Sequence, residues 1–355
     1  MRVAPEKLVD GRRWLAAVGV VVVLLALPAR AAAHERWFTP RGPYWDPEWE
    51  RLFSLPVLLA LLSGGAVVGL LWFGQRLTGD HLWPRPPFFQ RLETSSSAIL
   101  GVQTAITMIF MASRLNLFVP NIELPENAIG VLFAAITTVA AFSFITGVLT
   151  RIGALVTIAL WFSAFAFGAT YEVAEQVIFV GIAFYLVVVG RGVHRYGEAG
   201  EEGETWGDAL APYALTILRV SAGLSVLILG FTEKLLAPDL GVAFLQEYPN
   251  FNVARLAGFD WFTDERFVYA IGIGEATAGF ALLSGFLPRV VILGLWIPFN
   301  LGIAFLPAEE LIGHLPILAT MYVLLVRGEE GVPPPARVPV EREGAAEPRR
   351  EAVAA

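Results

Sequence analysis

The sequence predicts an all-α fold, a polytopic transmembrane helical bundle of two parallel tandem four-helix repeats plus one preceding span. Three observations carry that prediction. The first is composition. Of 355 residues 56% are hydrophobic and 16% charged, and mean hydropathy is +0.62, against about 45–50% apolar and about 25% charged in soluble domains. The second is a series of apolar stretches, most approaching the ~20 residues a helix needs to cross ~30 Å of hydrocarbon. No alternating strands of barrel length appear. The third is a set of turn motifs that recurs at fixed spacing.

Taken in order, the chain opens with Lys7, Arg12 and Arg13 ahead of an apolar run from Trp14 to Leu27. Ala31 and Ala33 then form a small-x-small site, so residues 1–33 read as a signal peptide cleaved before His34. The alternative is an uncleaved anchor helix. In either case the aromatic segment 34–53, with Trp37, Phe38, Tyr44, Trp45, Trp49 and Phe53, falls outside the cytoplasm. Nine spans follow, at 54–73, 97–119, 128–148, 152–170, 174–190, 212–236, 266–286, 288–306 and 312–327. Very short links such as Thr150-Arg151 and Leu287-Pro288-Arg289 suit antiparallel neighbours in a bundle. The tail 329–355 is rich in Pro, Glu, Arg and Ala and reads as disordered.

Repeat 1 covers 97–190 and repeat 2 covers 212–328. Gly147-Val-Leu-Thr-Arg151 resembles Gly285-Phe-Leu-Pro-Arg289 at an offset of 138, which also sets Glu172 on Glu310 and Gly190 on Gly328. Pro120-Asn121 matches Pro238-Asp239 at an offset of 118, so 20 residues are added in the second copy after Asp239. With four helices per copy, both copies enter the bilayer from the same side. The insertion 240–265 is aromatic and reads either as an interfacial belt or as a lid over repeat 2.

Loop charge gives the orientation. One set of helix ends carries Arg76, Arg85, Arg91, Arg151, Arg191, Arg195, Arg289 and Arg327. The opposite set carries Arg255 and Arg266 among many acids, including Glu123, Glu126, Glu172, Glu175, Asp260 and Glu310. The positive-inside rule puts the first set, and the C-terminus, in the cytoplasm of a cell whose inner membrane holds the protein. Arg36, Arg41 and Arg51 weigh against this scheme.

Several function classes drop out. The chain has no cysteine, hence no iron–sulfur ligands, disulfide or thiol relay. His314 is the one histidine within a predicted span, which excludes bis-histidine haem within this chain. No metal site is expected; a cleaved amino-terminal His34 could offer an amine and an imidazole to copper, but nothing else in the sequence supports a copper site. A net charge of −7 provides no nucleic-acid footprint. The lipid bilayer is the expected surrounding.

Charges inside spans are the sharpest functional signal, because each costs ~2.5–3.5 kcal/mol at a helix centre unless paired or used. Repeat 2 holds Arg219, Glu233, Lys234, Glu275 and His314, where repeat 1 has Gly101, Leu115, Asn116, Thr137 and Gln176. Repeat 2 therefore reads as equipped and repeat 1 as scaffold. Glu275, near the midplane, with Lys234 and His314 forms the expected catalytic pocket; Lys234, His314 and Arg219 are the candidate cofactor contacts. Glu233 reads as a solvated interfacial acid. A purely structural Glu275–Lys234 pair and a snorkelling Arg219 remain alternatives. Gly274 with Ala278, and Gly65 with Gly69, are spaced for close helix packing.

The stretch from Leu218 to Leu235, Gly274-Glu275, Gly285-Phe-Leu-Pro-Arg289 and Gly313-His314-Leu-Pro316 resembles the DoxX/DoxD family of four-helix membrane units. His34-Glu-Arg-Trp37-Phe38 is similar to a His-x-x-Trp-Phe start in larger members. The resemblance is good over 212–328 and weaker over 97–190. It implies a membrane subunit of a quinone-linked oxidoreductase, as in thiosulfate:quinone oxidoreductase, with a quinone as possible cofactor and a redox partner subunit supplying the donor site that a cysteine-free chain lacks. Lys234 or His314 would hydrogen-bond the quinone and Glu275 would move protons. A small-solute transporter or channel, and a non-catalytic assembly subunit, are the other two classes; whether there is catalysis stays open.

Overall fold

The helices run where the apolar stretches lie, and they pack so that each unit's first helix meets the other unit's last. The computed structural model describes residues 35–191, 206–303 and 308–328. The expected leader, His34, Arg195 and the tail 329–355 lie outside the described residues. The elements are α1 (Glu35–Phe38), α2 (Leu55–Thr78), α3 (Phe89–Ala112), α4 (Ala128–Thr146), α5 (Thr150–Ser163), α6 (Thr170–Glu175), α7 (Ile178–Val189), α8 (Trp206–Leu229), α9 (Pro238–Glu247), α10 (Val253–Leu256), α11 (Asp264–Ser284), α12 (Pro288–Ile303) and α13 (Ala308–Arg327). Among the described residues no strand forms.

Among the described residues, six helical stretches are long and apolar enough to cross a membrane: α2, α3, α4, Ala209–Leu235, α11 and Glu310–Arg327. The protein is an all-α, multi-pass membrane protein in contact with lipid. Apolar side chains such as Leu62, Val139 and Phe162 face outward on α2, α4 and α5, as a lipid-facing surface requires. The remaining predicted spans fall on shorter helices, α5, α7 and α12. The largest boundary error is at 97–119. There α3 starts at Phe89 and ends at Ala112, and the chain then turns through Leu115 and Phe118 at positive φ.

Within the first unit α3 packs on α4, α4 on α5 and α5 on α7; within the second α8 packs on α11, α11 on α12 and α12 on α13. Across the units α3 lies against α13 and α7 against α8. These four form the inner bundle. The turn backbones agree at the offset of 138. Gly147 and Gly285 end helices in the left-handed region at φ 80° and 71°, and Leu149 and Leu287 follow at 53° and 44°. Glycine takes that conformation without the Cβ cost. The preceding span α2 sits on α11, where Ser63 Oγ and Thr277 Oγ are 2.7 Å apart.

Two expected packing motifs are not where helices meet. A Cβ added to Gly65, Gly69 or Gly274 would touch nothing within 4 Å. The α8–α11 approach runs instead through Gly223 and Gly230 against Gly272 and Gly279. A Cβ on Gly272 would lie 2.8 Å from Lys234 Cβ, and one on Gly279 would lie 2.9 Å from the Gly223 carbonyl. Gly64, next to the expected pair, is the glycine of α2 that meets Phe280 of α11.

Candidate functional site

Lys234 is 2% exposed, at the end of α8. Its Nζ lies 2.8 Å from Glu35 Oε2, 3.1 Å from Glu275 Oε2 and 3.7 Å from Glu233 Oε2. The expected Lys234–Glu275 pair is thus present. Glu233 is a correction: it is 1% exposed, not a solvated interfacial acid. The reason is local. Gly230–Leu235 is a π-turn, closed from Leu236 N–H to the Phe231 carbonyl at 2.8 Å. An α-helix would set Glu233 and Lys234 about 100° apart around its axis. The wider turn lets both reach one cluster, and such π-turns recur at functional sites.

Arg36 is the second cation of the cluster. It is buried, pairs with Glu175, lies 3.5 Å from Glu233 Oε1 and donates to the Thr232 carbonyl at 2.7 Å. Burial on its own would lower its pKa, but Glu175 and Glu233 hold it above the usual arginine value. Glu175 is fixed further by the Thr232 hydroxyl, which donates to its carboxylate. Sequence reasoning missed Glu35, Arg36 and Glu175 as site residues. The first two lie on an aromatic segment ahead of the first span, and Glu175 reads there as one loop acid among many. Glu172 and Glu310, counted as loop acids, are buried at 1% and 0% exposure. Glu172 accepts from Trp45 Nε1 at 3.1 Å and from Ala169 N–H at 2.9 Å. The remaining arginines of the aromatic segment are matched as well: Arg41 is 3.6 Å from Glu172 and Arg51 is 2.8 Å from Glu48.

Among the described residues, four carboxylates (Glu35, Glu175, Glu233, Glu275) therefore surround two cations (Arg36, Lys234). Buried charge must be balanced, so the cluster has room for protons or for a cationic ligand.

Beside it lies a cavity of ≈ 50 Å³, lined by Lys234, Glu275 and Ser225 with Gln176, His314 and Trp37. His314 Nδ1 is 3.2 Å from Glu310 Oε1 and 2.9 Å from its carbonyl, and Trp37 is tilted over the imidazole at 6.1 Å. Gln176 is 5% exposed, and its Nε2 has no protein partner. Gln176 and His314 are the two positions the offset of 138 aligns, so the cavity sits between the units. Repeat 1 is therefore more than scaffold here: it supplies Glu175 and Gln176. At the aligned position repeat 2 has Gly313, which makes space for the Trp37 ring.

Arg219 does not join them. It lies 15 residues before Lys234, roughly 22 Å away along the helix, and donates to the carbonyls of Leu282 and Leu283, the latter at 2.9 Å, at the end of α11. Arg289 does similar work at that end, donating to the carbonyls of Leu325, Val326, Leu82 and Pro84. Part of the aromatic insertion packs as a cover, with Phe244 and Phe251 buried against Phe267, Val268 and Phe38, while Phe259 and Trp261 stay exposed. Comparison with protein-family models, with curated proteins and with solved structures found no match to this chain.

Proposed function

We propose that the protein is the membrane subunit of a quinone-linked oxidoreductase complex, with the carboxylate cluster exchanging protons and the adjacent cavity receiving a carbonyl edge of the quinone. The observation that supports this best is the buried Gln176 amide, whose Nε2 has no protein partner on a cavity that Lys234, Glu275 and His314 also line. An amide N–H and an ammonium can each donate to a carbonyl oxygen, as can the His314 imidazole once protonated, since its Nδ1 hydrogen already goes to the Glu310 carbonyl, and the nearby acids can supply the protons a reduced quinone takes up. Size limits the reading usefully. A cavity of about 150 Å³ holds a benzene ring; one of ≈ 50 Å³ admits the edge of a quinone head group, with its body between helices. This reading takes in the DoxX/DoxD resemblance, the inner membrane, a cytoplasmic C-terminus and a partner redox subunit; all four rest on the sequence patterns.

Quinone content of the purified protein tests it. We expect quinone to co-purify with the native chain and to fall several-fold with Gln176→Ala at unchanged folding. No quinone, together with solute flux into proteoliposomes, would replace this reading with a transporter.

A further inference from the structure

The core of the inner bundle holds a second set of polar groups that the cluster does not use. Most hydroxyls on the described helices turn back to their own backbone. Thr137, Thr138, Thr146 and Thr157 donate to the carbonyl four residues earlier at 2.8–2.9 Å. Ser143 and Ser163 donate to the carbonyl three residues earlier at 2.6 and 2.7 Å. Thr104 on α3 and Thr320 on α13 do not. Both are 0% exposed, and neither Oγ has a protein partner. Gln103 Oε1, beside Thr104 in sequence, is likewise without one.

These atoms fall in order along the bundle. Pairings between the antiparallel α3 and α13 set the levels: Thr107 donates to the Ile312 carbonyl at 2.6 Å, and Arg327 Nε donates to Ser96 Oγ at 2.6 Å. Ser97 Oγ, 3.3 Å from Tyr185 Oη, ties α3 to α7 in the same way. In that register Gln176 and His314 stand level with about residue 106 of α3, followed by Thr104 and Gln103, then Thr320 about level with residue 100, then Ser97–Tyr185 and Ser96–Arg327. At 1.5 Å per residue successive levels differ by roughly 1.5–5 Å along the axis, and the whole run is about 15 Å. Thr104 lies seven residues from Ser97, so both share the stripe that faces α7. Thr320 lies seven residues from Gly313 and seven from Arg327, on the stripe that joins the cavity to Ser96.

Buried hydroxyls and amides without a protein partner are normally satisfied by ordered water. We infer that Gln176, Thr104, Gln103, Thr320 and the Ser97–Tyr185 pair line a water-filled column through the inner bundle, a proton path from the buried carboxylate cluster to the far end. The column stands on its own orphaned atoms and does not require the ligand to be a quinone. Joined to the proton-exchanging cluster, it would draw or release protons at the end where Arg327 lies.

The cysteine-free chain permits a direct test. Ser97→Cys, Thr104→Cys and Thr320→Cys are made singly in the full chain. Each is moved into D2O, in detergent and in proteoliposomes, and the loss of its S–H infrared band is followed, because a thiol in contact with water exchanges its proton for deuterium. Ala105→Cys, at a 0% exposed apolar position next to Thr104, is the dry control. All three column positions should exchange at least tenfold faster than Ala105→Cys. Exchange at Thr104→Cys and Thr320→Cys no faster than at Ala105→Cys would overturn the column, whether or not Ser97→Cys exchanges. Quinone content does not enter this readout, so the column and the quinone reading fail separately.

Discussion

Lys234 pairs with three carboxylates, from α1, from its own π-turn and from α11. Removing one partner of a buried pair strands the others, at ~3–5 kcal/mol. Lys234→Met should therefore lower thermal stability in detergent strongly. Adding Glu275→Gln should restore part of the loss and no more, since Glu35 and Glu233 stay stranded. Additive losses in the double variant would show that Lys234 and Glu275 do not interact. The exposed pair of Asp80 and Arg85, 2.7 Å apart, marks the opposite extreme. Its hydrogen bond to Arg85 holds the Asp80 carboxyl below its usual value. A depressed acid contributes stability above the unfolded pKa of ~3.9 and loses it as pH falls through the lower folded value. Solvent screening limits that contribution to under ~1 kcal/mol. Asp80→Asn should leave melting unchanged within that margin at pH 7 and remove a small acid-side slope below about pH 4; a loss of several kcal/mol at pH 7 would contradict the exposed geometry.

At the scale of elements, the α8–α11 contact decides whether the cluster forms. Gly272 faces the Lys234 and Leu235 side chains at distances a methyl group would violate, while Gly274, two residues on, faces open space. Gly272→Ala should cost about 1–3 kcal/mol through forced displacement of the π-turn. Gly274→Ala should be neutral, or stabilise by up to about 0.5–1 kcal/mol through backbone entropy. Equal effects of the two on the melting midpoint would mean that the helices meet on another face. The short α1 matters by position rather than length. Its Glu35 and Arg36 each fill a gap between helices that are distant in sequence, and Trp37 closes the cavity.

For the whole molecule, the cross-packing of α3 with α13 and α7 with α8 places the site between the two units. It also sorts surface residues by end. Glu123 and Asp260 are exposed at the end that bears the cluster, and Arg85 and Gln90 at the other. With the charge-derived orientation, an impermeant thiol label applied outside the cell should modify Glu123→Cys and Asp260→Cys at once. Arg85→Cys and Gln90→Cys should react only after permeabilisation. The reverse pattern would invert the topology. Glu310 and Arg289 report nothing here, since both side chains are buried.

Composition and apolar run length alone determined the membrane class and the order of helices, because burying a backbone in hydrocarbon leaves few alternatives to the helix. Intramembrane charge singled out Glu275, Lys234 and His314, because an unneeded charge there is costly. Three things were decided only by tertiary structure. The π-turn at Gly230–Leu235 leaves no periodicity in so short a stretch, so Glu233 could not be placed. The pairing of Arg36 with Glu175 joins residues 139 apart in sequence, and no local pattern encodes that contact. The sharing of one cavity by Gln176 and His314 follows from how the units dock. That docking depends on side-chain fit across α3, α7, α8 and α13, a property of the assembled bundle rather than of any one segment.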